Sequence, residues 1–355
     1  MLKIFTKYLK IILVNFLIFL LLIIISEIIF GDWFKNDFKF KINSERNINK
    51  LYEFKFSNYE GISRYKRDKF GFRVEEQINP SEIDIVFLGG STINEKFTNY
   101  KETIVGLFQE HLIKNKFTYK VANGGVDGMS IVGHINSFDD WFDKIKNFKP
   151  KIYIYYIGLN DSFLEIKNLR DIDVLEESSF SKKIKYFITS NSFIIKNYRN
   201  LFAALNEKFN LNIGSSKVSN KVYGERDNYK FVTWNQYQLI IQKKDFLNNH
   251  DQEFKKLYLE KIKILTSMVK KRNGNPIFIT QTSGTGLSDR LYVISELIMD
   301  YCKEENLSCF NLAKELDLNY DDFYDWGHLN PNGSKKVANY IFYNLLNKKL
   351  ISSKD

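Results

Sequence analysis

Ile83-Asp84-Ile85-Val86-Phe87-Leu88-Gly89-Gly90-Ser91-Thr92 is the stretch from which this 355-residue chain is read. The run Ile85-Val86-Phe87-Leu88 is short and apolar throughout, the signature of a strand buried on both faces of a parallel sheet. It breaks into two glycines, which permit a tight turn and close backbone approach, and then into a hydroxyl. The polar residues that follow lead to a helical pattern from Glu102 to Leu112. Ser91 is therefore expected just past the carboxyl end of a buried strand, where open α/β sheets bind their ligands. Taken alone, the same stretch reads more readily as an ordinary strand-turn-helix with a capping Ser or Thr.

Downstream, strands and helices alternate. Tyr119–Ala122 predicts a strand ending in Asn123-Gly124-Gly125, and Val132 to Lys146 a helix. Lys151–Ile157 predicts a strand ending in Gly158-Leu159-Asn160-Asp161. An amphipathic helix, Asp251 to Lys271, precedes a strand at Pro276–Thr280. Ser288 to Glu304 reads as a helix, a fifth strand follows near Ser308–Leu312, and a helix from Ser334 to Asn347 closes the chain. This alternation predicts an α/β fold with a mostly parallel sheet covered on both faces. The pattern fails between 163 and 250, a stretch that includes helix-like pieces such as Lys183 to Leu205. It is too long for a connection and reads as a lid or an insertion, or as a cover for one sheet edge. Asp32 to Pro80 shows no clean periodicity and reads as a connector packed on the main domain, 81–350.

Polar groups recur at these strand ends. Ser91, Asn123 with Gly124 and Gly125, and Asn160 with Asp161 belong on one rim of the sheet. Asp325-Trp326-Gly327-His328 follows the fifth strand. An Asp three residues before a His can orient the imidazole from one side of a helical turn. The imidazole can then take the proton of a serine hydroxyl, a weak nucleophile without a base. The Gly125 N–H and the Asn160 side-chain amide are candidate oxyanion donors, with the Ser91 N–H a third. The remaining histidines read otherwise: His111 at a helix end, His134 opening a helix, His250 in a charged loop. None belongs to a metal-ligand cluster, so no metal or cofactor is expected. Asp161 reads as a brace, and Trp326 as either a pocket wall or a turn anchor.

Four blocks in this order resemble the SGNH (GDSL-type) hydrolase superfamily over about residues 70 to 347: Gly89-Gly90-Ser91, Asn123-Gly124-Gly125, Gly158-Leu159-Asn160-Asp161 and Asp325-Trp326-Gly327-His328. The resemblance implies a flavodoxin-like three-layer α/β/α sandwich on a five-stranded sheet. It implies Ser91 as nucleophile, Asp325 and His328 as its partners, and Gly125 (or Gly124, one residue earlier) with Asn160 as the oxyanion hole. Phe70-Gly71-Phe72-Arg73 is similar to a phrase found ahead of the nucleophile in membrane-anchored bacterial members. The usual Asp before the serine is Gly90 here. The activity so implied is hydrolysis of esters, acetyl esters above all, on a cell-envelope glycan or lipid. A glycan O-acyltransferase using the same residues is the alternative, and a non-catalytic glycan-binding or assembly module a third reading.

The formal charge of +10 comes from scattered lysines, without the aromatic-basic, zinc-finger or basic-helix patterns of nucleic-acid binding. Ile11 to Phe30 is apolar except for Asn15, Ser26 and Glu27, and follows Lys3, Lys7 and Lys10. With no small-residue cleavage site after it, residues 1–31 read as an uncleaved transmembrane signal anchor. Lys35, Lys39 and Lys41 follow just as closely, so charge sets no direction, but long C-terminal domains translocate regardless. An extracytoplasmic domain is therefore expected. Cys302 and Cys309 fit either one disulfide outside the cytoplasm or two buried thiols.

Overall fold

In the computed structural model, helix α1 (Leu2–Phe30) opens the chain. Its Tyr8–Phe30 part, 23 residues with exposed apolar side chains, is long and apolar enough to be a membrane span or a signal sequence. The one acid in that segment is not left bare. Glu27 accepts hydrogen bonds from the Ser192 hydroxyl, from the N–H groups of Phe193 (2.9 Å) and Ile194 (3.0 Å), and from the Trp33 indole at 2.8 Å. A charge among apolar residues needs such partners. These residues fall in one unit, Met1–Lys39 with Val174–Ser219; the other comprises Phe40–Asp173 with Asn220–Asp355. The structure describes residues 2–31, 33, 46, 48–166, 169, 188, 192–195, 221–224, 231–241 and 249–352. Most of the 163–250 stretch, including all but five residues of the expected Lys183–Leu205 helix, lies outside them.

The second unit begins with a feature the sequence reading lacked. β1 (Ile48–Phe56) and β2 (Glu60–Arg67) form an antiparallel hairpin, and β6 (Lys221–Gly224) adds in parallel to β1. The expected connector thus contains a two-stranded hairpin. The main sheet has five parallel strands in the order β4-β3-β5-β7-β8: β3 (Ile83–Gly89), β4 (Lys120–Asn123), β5 (Ile152–Tyr156), β7 (Asn275–Ile279) and β8 (Cys309–Phe310). Ile85, Val86 and Phe87 are wholly buried, which is why that segment carries no polar alternation.

Helices cover both faces. α2 (Ser91–Asn94) is one turn; α3 (Ile104–Lys114) and the last helix, α9 (Pro331–Asn347), pack on one face. α3 turns Ile104, Val105, Phe108 and Leu112 inward, and α9 turns Val337, Ile341, Phe342 and Leu345, in one continuous core with Phe87 and Ile154. These spacings follow the 3.6-residue period of an amphipathic helix. On the other face lie α4 (Ile131–Asp140), α6 (Asn249–Lys270) and α7 (Asp289–Glu304). The short helices α5 (Trp234–Ile241) and α8 (Leu312–Glu315) complete the set. Caps match the sequence: Thr103 accepts from Gly106 N–H, and Asn330, before Pro331, accepts from Asn332 and Gly333 N–H.

Cys302 and Cys309 form a disulfide joining α7 to β8, which settles the alternative left open above. His250 lies in helix α6 rather than a charged loop. His134 is buried with neither ring nitrogen bonded among the described residues, and burial alone drives its pKa down to about 3, so it is neutral.

Strand registers bring Asn123, Gly89, Tyr156, Ile279 and Phe310 close to one line along the rim. β3 leads to β4 on one side, whereas β5 leads towards β7 on the other. The crevice of a doubly wound sheet opens between such strands. Ser91 follows β3 and Asn160 follows β5, so the two stand on opposite sides of it.

Candidate active site

Ser91 occupies the first position of α2, directly after the N-cap Gly90. Its own N–H is one of the donors that a helix start leaves without an intrahelical acceptor. Its hydroxyl is 2.7 Å from His328 Nε2. On the other side of the ring, His328 Nδ1 lies 2.8 and 2.9 Å from the two oxygens of Asp325. Asp325 Oδ1 also accepts the N–H groups of Gly327 and His328, each at 2.8 Å. Burial pushes the Asp325 carboxyl up, but the His328 hydrogen bond and charge, with these two N–H groups, outweigh it and leave the pKa below its usual value. The carboxylate is thus held ionised against the imidazole. An Nδ1–H donated to it leaves Nε2 as the acceptor facing Ser91.

The Asp-x-x-His segment is a loop rather than the helical turn considered from sequence. The chain reverses here: Phe323 bridges Leu329, and Tyr324 N–H donates to His328 O at 3.0 Å. Gly284 N–H donates to Trp326 O at 2.7 Å, tying this loop to the one after β7. The Tyr324 ring lies nearly parallel to the imidazole, 8° apart with centroids at 5.6 Å. Trp326 is 47% exposed and edge-on to Phe163, itself 65% exposed, and its ring is 6.4 Å from the His328 ring. Trp326 therefore stands at the mouth of the site rather than anchoring its turn.

Asn160 donates from Nδ2 to Met129 O at 2.9 Å, leaving the second amide hydrogen for another acceptor. The same nitrogen explains Gly90. A Cβ built at position 90 would lie 2.0 Å from Asn160 Nδ2. Any larger residue there must displace either the turn or the amide. Gly90→Ala is expected to lower turnover more than tenfold while the thermal midpoint falls only modestly, a comparison made by steady-state kinetics and thermal denaturation. Unchanged turnover would show that the amide's seat against the turn is unimportant.

The glycine pair behaves differently. Gly124 N–H donates to Phe87 O at 2.7 Å, which removes it as a donor to substrate. Gly125 N–H donates to Asn123 Oδ1 at 3.0 Å, so it serves an oxyanion only by sharing that hydrogen. Asp161 bonds neither Ser91 nor His328. It accepts Ile131 N–H at 2.6 Å and the Tyr258 hydroxyl at 3.0 Å, bracing the start of α4, and burial raises its pKa to about 6.

Several side chains that sequence reasoning passed over hold the site together. Gln281, at the end of β7, donates to Thr92 Oγ1 and accepts Leu159 N–H, both at 2.8 Å, and so joins the Ser91 turn to the Asn160 loop. Its position as a polar residue at a fourth strand end was the available signal. Arg73 is fully buried and donates to the carbonyls of Asn94, Glu95 (2.5 Å) and Thr98. Glu95, in left-handed conformation where α2 ends (φ 46°), accepts Ile104 N–H at 2.7 Å and the Ser334 hydroxyl at 2.5 Å.

Burial raises the Glu95 pKa from 4.5 to about 7, against those hydrogen bonds and the charges of Arg73 and His328. A carboxyl whose folded pKa exceeds its unfolded one contributes most below the unfolded value, and that contribution is lost as pH rises through the folded value. Stability should therefore decline between about pH 4.5 and 7. Asp68 and Asp161, each raised by burial to about 6, act in the same sense at lower pH. Glu95→Gln is expected to flatten the decline above pH 6 in thermal denaturation; an unaltered slope would contradict this.

Among the described residues, no group of three His, Cys, Asp or Glu side chains is placed to hold a metal ion. A cavity of about 270 Å³ is lined by Phe231, Thr233, Trp234, Asn235, Thr282 and residues 313–318, and none of Ser91, Asp325 and His328 lines it.

No family model matches this chain, and no curated protein matches it in sequence. Solved structures resemble it. One is LAE5, an α/β hydrolase enzyme from the metagenome of Lake Arreo, Spain, at 12% identity over 73% of this chain and 93% of the other, with a TM-score of 0.41. Another is a single-substitution variant of Axe2, an acetyl xylan esterase from Geobacillus stearothermophilus, at 12% identity over 74% and 93% of the two chains and a TM-score of 0.39. A third, described as lipolytic and of the G-D-S-L family, comes from Desulfitobacterium hafniense, at 12% identity over 74% and 98% and a TM-score of 0.38.

Proposed function

We propose that this protein is a membrane-anchored serine esterase that cleaves acyl esters, acetyl esters above all, through an acyl-enzyme on Ser91. The observation that carries the reading is the unbroken chain Asp325–His328–Ser91, at 2.8 and 2.7 Å. Ser91 Oγ attacks the ester carbonyl while its proton passes to His328 Nε2. The resulting imidazolium is stabilised by Asp325, and the negative oxygen by Asn160 Nδ2 and Ser91 N–H, with Gly125 N–H sharing its hydrogen. Collapse expels the alcohol, which takes the proton from His328. Water then attacks the acyl-enzyme, with the same histidine as base, and releases the acid and Ser91.

The exposed Trp326 and Phe163 at the mouth support a glycan substrate, because sugar rings present apolar faces to aromatic side chains. The Cys302–Cys309 disulfide and the apolar N-terminal helix support an extracytoplasmic domain tethered at the cell surface or in the periplasm. Residues 1–31 serve as the anchor and 81–350 as the catalytic domain.

The full-length protein in detergent should release acetate from an O-acetylated oligosaccharide, and Ser91→Ala should not. Equal release by both would refute the reading. Acetyl transfer to added unacetylated oligosaccharide in excess of acetate release would instead make the enzyme an O-acyltransferase with the same residues.

A further inference from the structure

Arg67 closes β2, and its guanidinium is buried. Among the described residues, its side-chain hydrogen bonds all go to uncharged acceptors. Nε donates to the Tyr65 hydroxyl and Nη1 to Gly71 O; Nη2 donates to both Asn94 Oδ1, at 2.7 Å, and Gly125 O. The last two acceptors belong to different parts of the site. Asn94 is the final residue of the helix that Ser91 begins, and Gly125 belongs to the loop after β4.

These two parts lie in direct contact. A Cβ on Gly125 would fall 2.4 Å from Asn94 N and 2.7 Å from Ile93 C, so the loop backbone rests against the nucleophile's helix. The next peptide is gripped from both ends: Arg67 holds Gly125 O, and Val126 N–H donates to Gly89 O at 3.0 Å. Asn94 completes the clamp, since its Nδ2 donates to Asp127 Oδ1 at 2.6 Å and its Oδ1 also accepts the Tyr65 hydroxyl at 3.0 Å. The hairpin reaches the other half of the site as well. Asn58 donates to Phe323 O at 2.8 Å, and the rings of Phe56 and Tyr59 pack on Tyr324, which lies over His328.

We propose that Arg67 is a positioning residue of the esterase: it fixes the Gly125 loop against the Ser91 turn, making the hairpin that precedes the hydrolase sheet a working part of its active site. The inference rests on the esterase reading. Its physical basis is that a donor or nucleophile displaced by about 1 Å can cost about 10² in rate without weakening substrate binding. A guanidinium suits the task because its planar fork meets several fixed acceptors at once, which an ammonium cannot do.

The test uses the full-length protein in detergent with 4-nitrophenyl acetate, at a temperature well below unfolding of every variant. Arg67→Met, similar in length but without donors, should lower kcat about 10²-fold with KM within about threefold. Arg67→Lys should recover part of that loss. Asn94→Ala, which removes the link between Arg67 and the nucleophile's helix, should reproduce the fall in kcat, and it carries the test if Arg67→Met does not fold. A purely stabilising Arg67 would give a lowered thermal midpoint with native kcat, and that outcome overturns the proposal. Ser91→Ala runs alongside. If it hydrolyses the ester like the native protein, the esterase reading has failed; if it is inert while Arg67→Met and Asn94→Ala keep native kcat, only the positioning role has.

Discussion

His328→Ala is expected to reduce kcat for an acetyl ester by about 10³–10⁴-fold. A serine hydroxyl is a poor nucleophile until a base removes its proton, and His328 Nε2, at 2.7 Å, is the base in contact with Ser91 Oγ. The buried carboxyl of Glu95 does not substitute for it, because both its oxygens are bonded, to Ile104 N–H and to the Ser334 hydroxyl. Asp325→Asn should cost a similar factor by a different route. An amide at position 325 no longer stabilises the imidazolium, and its NH₂ favours the tautomer that turns a protonated Nε2 towards Ser91. The carboxylate also anchors the loop through Gly327 and His328 N–H, so this variant should lose some thermal stability as well. Steady-state kinetics on the three proteins decides it. A loss of less than tenfold for His328→Ala would mean that another group acts as base.

Asn160→Ala is the second large effect, about 10²–10³ in kcat, or roughly 3–4 kcal/mol of transition-state stabilisation. The Asn160 amide stands across the crevice from Ser91, seated where Gly90 has no side chain. One of its hydrogens is held by Met129 O, which fixes the direction of the other. The loss should appear in kcat with little change in KM, because the interaction strengthens as charge develops on the substrate oxygen. Gly125 contributes less on this account, since its N–H is already bonded to Asn123 Oδ1. A KM effect with unchanged kcat would move Asn160 from charge stabilisation to ground-state binding.

The apolar run at Ile83–Gly89 was legible because a strand buried on both faces has no polar alternation to disguise it, and the other main-sheet strands were legible for the same reason. The hairpin was not. The side chains that β2 turns inward are Ser63, Tyr65 and Arg67, so its buried face is largely polar and the period-two signal disappears. Such a face becomes favourable only once its partners are in place, and these are carbonyls and amides from Asn94, Gly71 and Gly125. Gln281 was hidden similarly, its importance arising from Thr92 and Leu159 far away in sequence. The spacing of Asp325 and His328 suggested a pair, but it did not disclose the loop geometry, which depends on the Phe323–Leu329 bridge. Gly90 looked like a departure from the family pattern; the position of the Asn160 amide gives it a reason.

Every step of the proposed reaction requires Ser91 to be an activated nucleophile. The direct measurement is reaction of the full-length protein with a fluorophosphonate probe, followed by mapping of the adduct by peptide mass spectrometry. One adduct is expected, on Ser91, formed orders of magnitude more slowly in His328→Ala and absent in Ser91→Ala. An unlabelled Ser91 in a protein that still hydrolyses esters, or labelling of Ser91 at the same rate without His328, would contradict it.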